Sequence, residues 1–156
     1  MSGFLVFLAL AVVMVLVCRR AGERVAAGHA HGHGRTLLRH ESGHIVAAEQ
    51  TGTRVKKIHL GVLGDSYVQL DRKDAENMSP RDYMAFMMSG RYAAGSGSGC
   101  SHDDKQVKIE RDRLRRNGWS PAQVRREVRQ AESDARRYAR SGRVDYWADR
   151  LDKGKL

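Results

Sequence analysis

His40-Glu41-Ser42-Gly43-His44 reads His-Glu-x-x-His, a spacing that builds half of a zinc site when it lies on a helix. At 3.6 residues per turn, positions i and i+4 share one face, so both imidazoles can grip one ion. Glu41 directly follows the first of them. Its carboxylate can reach a water polarised by that ion and act as general base for attack on a peptide carbonyl. A catalytic zinc takes a third protein ligand and leaves its fourth position to water. The residues that offer this ligand follow the stretch Gly95-Ser96-Gly97-Ser98-Gly99: His102, Asp103 and Asp104. All three begin a helix. An acid there also stabilises the helix dipole by about 0.3–1 kcal/mol, so position alone does not separate ligand from cap.

The elements that must place these residues are legible in the pattern. The motif helix is expected from Thr36, as N-cap, to Gly52. Leu37, His40, Glu41, His44 and Ala48 share one side of it, and Leu38, Ile45 and Val46 point elsewhere. That suits burial in a small core that also carries a site. Val55–Leu60 and Ser66–Leu70 alternate around Gly64-Asp65 and predict a β-hairpin, with His59 a solvent-facing strand residue. Ser79-Pro80-Arg81-Asp82 starts a helix whose Met84, Phe86, Met87 and Met88 read as core and which should pack over the motif helix. A polar helix then runs to Arg116, stopped by Asn117-Gly118. Ser120-Pro121-Ala122-Gln123 repeats the cap signature. The helix it opens carries an apolar stripe of Val124, Val128, Ala131, Ala135 and Tyr138 and ends at Gly142. Tyr146, Trp147 and Leu151 are expected to tuck a short terminal turn onto the core.

Gly3–Cys18 is an uncharged apolar run of a different kind. As a helix it spans about 24 Å, near the hydrocarbon thickness of a bilayer once flanking residues are added. No Lys or Arg precedes it and Val17 precedes Cys18, against a cleaved signal. Arg19, Arg20 and Arg24 follow it, which places the N-terminus outside and the rest in the cytoplasm. The expected organisation is a transmembrane anchor over 1–18, a flexible His/Gly-rich linker over 19–35 and a peptidase domain over 36–156. Two cysteines, Cys18 and Cys100, make no disulfide framework and fit a reducing compartment. Net charge is +10, and residues 105–156 contribute +8 of it, from 16 Lys/Arg against 8 Asp/Glu. A solvated helical surface accounts for this excess; anionic lipid is the next reading and nucleic acid the last.

The segment from His40 to Ala48 resembles the His-Glu-Ala-Gly-His signature of FtsH-type membrane zinc proteases. The likeness continues through Val55–Leu60, through Ser89-Gly90-Arg91-Tyr92-Ala93-Ala94, similar to the family's Gly-Gly-Arg-x-Ala-Glu, and through Gly99-Cys100-Ser101-His102-Asp103, similar to its Gly-Ala-x-x-Asp. The resemblance implies that Asp103, not Asp104, is the third zinc ligand. It departs from the family in having no Walker signature for an ATPase, and Gly95 stands where an acid is usual.

The expected fold is mainly α with a small antiparallel hairpin, a zincin-like motif helix and an N-terminal transmembrane helix. The expected function is a membrane-anchored, ATP-independent zinc metallopeptidase acting on proteins or peptides, with His40, His44 and Asp103 on Zn²⁺ and Glu41 as general base. A separate ATPase or a homo-oligomer are the partners this layout suggests. Two alternatives stand beside it: an inactive zinc-stabilised scaffold at the membrane, and a basic lipid- or nucleic-acid-binding protein. An intramembrane protease is excluded because Arg35, Arg39 and Glu49 flank the motif.

Overall fold

The computed structural model describes residues 34–61, 66–95 and 100–154. It is mainly helical with one two-stranded antiparallel sheet. Helix α1 covers residues 34–50. Strands β1 (Val55–His59) and β2 (Tyr67–Leu70) follow. Then come α2 (Arg72–Asn77), α3 (Pro80–Ala94), α4 (Ser101–Arg116), α5 (Pro121–Ala139) and α6 (Arg143–Asp152). Among the described residues no helix is long and apolar enough to cross a membrane. The apolar run Gly3–Cys18, most of the linker and the glycine-serine stretch 96–99 lie outside the described residues.

Helix α1 is already helical at residue 34, so Thr36 is an interior residue and not the expected N-cap. It ends where expected, with Gly52 at φ 68° releasing the chain toward β1. Residues 40–48 are buried almost without interruption, and Val46, Ala47 and Ala48 join the core. Val55 pairs with Leu70 and His59 with Tyr67, across an irregularity between Val55 and Lys57. His59 is half-buried against the Tyr67 ring, 5.1 Å between centroids, rather than facing solvent.

Both Ser-Pro helix starts are present. Ser79 Oγ accepts from Asp82 N at the head of α3, and Ser120 with Gln123 forms a reciprocal capping box on α5. Helix α3 is the central element. It buries Met84, Ala85, Phe86, Ser89, Gly90 and Ala93 and packs against both α4 and α5. Asp134 of α5, buried, takes Arg81 at 2.6 Å and Arg137 at 2.9 Å, which satisfies a charge that burial would otherwise make costly. Helix α6 is longer than the expected turn, and of the three residues expected on the core only Tyr146 turns away. Val144, Ala148 and Leu151 are buried, Trp147 packs against the core, and Tyr146 is 45% exposed. Glu49 of α1 fastens it by accepting from Arg143 at 2.5 Å and from Trp147 Nε1 at 3.0 Å.

Candidate metal centre

Three helices converge on the motif. His40 and His44 lie one turn apart on α1, and both are buried. Helix α3 crosses α1 at two glycines. A Cβ at Gly43 would lie 2.5 Å from Ser89 O and 2.7 Å from Ala93 Cβ, so this glycine sets the distance between the helices. A Cβ at Gly90 would lie 2.6 Å from His44 Nε2 and 2.7 Å from His40 Nε2, so this one leaves room beside the two ring nitrogens. Helix α4 brings the acid. Val107, Glu110 and Leu114 form its buried stripe, and Asp103 continues that stripe one turn toward the N-terminus.

The resulting geometry is a triangle. His40 Nε2 and His44 Nε2 are 3.1 Å apart, and Asp103 Oδ2 lies 3.2 Å from the first and 3.4 Å from the second. Donors around a tetrahedral zinc with bonds of about 2.0–2.1 Å are separated by about 3.3–3.4 Å. The two Nε2 atoms are within hydrogen-bonding distance of each other, and Asp103 Oδ2 is buried with no aligned hydrogen-bond partner. His44 Nδ1 donates to Phe86 O at 2.8 Å, which leaves its Nε2 as an acceptor turned to the triangle. A carboxylate oxygen and two imidazole nitrogens gathered this closely, with His44 Nε2 an acceptor, call for a cation or a shared proton among them. The donor set fits a divalent zinc: two imidazole nitrogens, one carboxylate oxygen, and a carbonyl fixing one ring from behind.

The electrostatics point the same way. Burial raises the Asp103 carboxyl, but the two imidazoles overcome it and hold the group well below the usual carboxylate range. Burial lowers the His44 pKa, yet Asp103, Glu41 and the Phe86 carbonyl outweigh it and leave the ring above its ordinary value. Glu41 is 2% exposed, and its Oε2 has no hydrogen-bond partner. Burial pushes its carboxyl up, against the pull of His44 and His40. A carboxyl raised this way is a better proton acceptor near neutral pH than an exposed one.

The remaining candidates separate cleanly. Asp104 turns outward to Arg91, and His102 is exposed. Sequence reasoning missed Cys100. Its buried Sγ lies 4.0 Å from His40 Nδ1, on the far side of the ring from the triangle. His40, Cys100 and Asp103 offer donor atoms within 4.8 Å of one another. Burial pushes the Cys100 thiol up even with Arg91 beside it, and its Sγ faces Nδ1, the ring nitrogen turned away from the triangle. The role of Gly90 was also missed; its signal was a Ser-Gly pair inside a Met-rich helix. The chain matches no protein-family model, no curated protein and no solved structure.

Proposed function

We propose that this chain is a membrane-anchored zinc metallopeptidase in which His40, His44 and Asp103 hold the metal and Glu41 is the general base. One observation carries the reading: the buried Asp103 oxygen without a hydrogen-bond partner, 3.2 and 3.4 Å from two imidazole nitrogens that are themselves 3.1 Å apart. When bound, zinc supplies Lewis acidity, bringing the pKa of water it holds to about 7 and offsetting charge on the attacked carbonyl. The chain's own residues do the rest. Phe86 O and the α3 crossing keep the His44 ring in place. Glu41 receives the proton of the attacking water and passes it to the leaving amine. The low exposure around His40, Glu41 and His44 limits competing water.

The zincin-like reading of α1 and the likeness to FtsH-type peptidase domains support the same assignment. ATP-driven unfolding would come from a separate ATPase, so flexible or already unfolded segments are the substrate class. The test is Glu41→Gln in the full chain. This near-isosteric change should leave the zinc content at the parent value and lower casein hydrolysis by about 10²–10⁴-fold. Hydrolysis at the parent rate by this variant refutes the mechanism.

A further inference from the structure

Helix α5 carries five arginines and is followed by a sixth, Arg140, at its C-cap; their spacing gathers most of them on its outer side. At 100° per residue, Arg125, Arg129, Arg140 and Arg126 fall within an arc of about 100°, opposite the buried Val124, Ala131, Ala135 and Tyr138. All four are exposed. Arg136 falls inside the same arc but is engaged by Glu132 at 2.8 Å, and Arg137, at the edge, is engaged by Asp134 at 2.9 Å. The other four form no ion pair among the described residues. The remaining acid of this helix, Glu127, acts on Arg81, away from the ridge. From Arg125 to Arg140 the ridge is about 22 Å long.

On other helices several arginines are paired with an acid one turn away: Arg72 with Glu76, Arg113 with Glu110, Arg115 with Asp112. On the ridge, Arg125 and Arg129 stand at i, i+4 and Arg126 and Arg129 at i, i+3, where like charges destabilise a helix. A face that only needed solvation would be better served by mixed signs. A row of unengaged guanidiniums suits bidentate contact with phosphate oxygens. The ridge presents no open aromatic face for base stacking among the described residues: the Tyr138 ring is on the buried side, and the half-buried Tyr92 ring beside it is covered by Arg136 at 4.5 Å from its centroid. The same chain carries the apolar run Gly3–Cys18 followed by Arg19, Arg20 and Arg24.

We infer that the Arg125/Arg126/Arg129/Arg140 ridge of α5 docks on the phosphate headgroups of an anionic membrane surface. The inference is independent of the metal centre and of its turnover.

The experiment uses the full chain in lipid nanodiscs. Ser133, exposed and within the ridge, is replaced (S133C) and spin-labelled in a Cys18→Ser background. In discs with about 30 mol% phosphatidylserine the label is expected to be shielded from a water-soluble relaxation agent, and in phosphatidylcholine discs to be open to it. The docked fraction, taken as the docked-to-undocked ratio, should fall about fivefold for each of Arg125, Arg129 and Arg140 changed to Gln. Shielding should also vanish in high salt. The thermal transition should be unchanged or raised in these variants, because like-charge repulsion is relieved. Equal shielding in both lipids, or none in either, overturns the inference. So does stronger protection by a soluble single-stranded oligonucleotide than by the anionic disc, which assigns the ridge to nucleic acid.

Discussion

Gly90→Ala tests the site through its steric frame rather than through a ligand. The added Cβ would meet His44 Nε2 at 2.6 Å and His40 Nε2 and Cε1 at 2.7 Å. Ordinary contact needs about 3.5 Å, so the rings must retreat by roughly 0.8 Å. Metal–ligand bonds tolerate about 0.2 Å. Both atoms that must yield are the ends of side chains, so overpacking sits at the low end of its usual range of about 1–3 kcal/mol. Removing a glycine from a helix interior returns about 1 kcal/mol. The variant should therefore fold with stability within about 1–2 kcal/mol of the parent while its zinc affinity falls by about 100-fold or more. Gly43→Ala makes the contrast. Its Cβ would meet the Ser89 carbonyl oxygen at 2.5 Å, and backbone yields only by separating α1 from α3. That variant should lose about 2–3 kcal/mol of stability, the helix-propensity gain notwithstanding. Urea titration of the metal-free full chain and zinc titration against a chromophoric chelator read the two quantities separately. Parent zinc affinity in a folded Gly90→Ala variant refutes the geometry proposed for the site.

Arg81→Gln should cost about 1–2 kcal/mol in a denaturation experiment, because buried Asp134 keeps Arg137 as a partner. Ser120→Ala removes the capping box of α5 and should cost about 1 kcal/mol, with no effect on zinc content. Tyr92 O–H donates to Glu132 at 2.6 Å, and this bond, then Arg136, holds the Glu132 carboxyl below its usual range. A depressed carboxyl contributes stability above its unfolded pKa of about 4.3 and loses it as pH falls through the folded value. Between about pH 5 and 3 the parent's melting temperature should therefore fall more steeply than that of Glu132→Gln, by a small margin because the site is partly solvated.

The parts of this fold with local signals were readable from the chain. Ser79-Pro80 and Ser120-Pro121 announce helices because their caps are built from neighbouring residues, and β1 and β2 alternate. Helix α2 was invisible. Its six residues are polar on every side and bury none, so no periodicity marks it; only Asp71, which accepts from Lys73 N, hinted at a start. Helix α6 packs Trp147 and Leu151 as expected, but Tyr146 is exposed, and the small buried Val144 and Ala148 carried no comparable signal. Its true orientation depends on Glu49, ninety-four residues earlier. At the centre, His40, Glu41 and His44 announce themselves by spacing. Asp103 was chosen over Asp104 only by resemblance, since one turn of helix offers both. What separates them is tertiary: the face of α4 that buries Val107 turns Asp103 inward and leaves Asp104 to Arg91.

The central claim is that these three side chains share one divalent cation, and metal counting tests it most directly. Purified full chain, freed of loosely held metal by gel filtration, should retain about one zinc per chain, as should Asp104→Asn and Glu41→Gln, while Asp103→Asn should retain little. A full equivalent in Asp103→Asn, or none in the parent after zinc loading, contradicts the account.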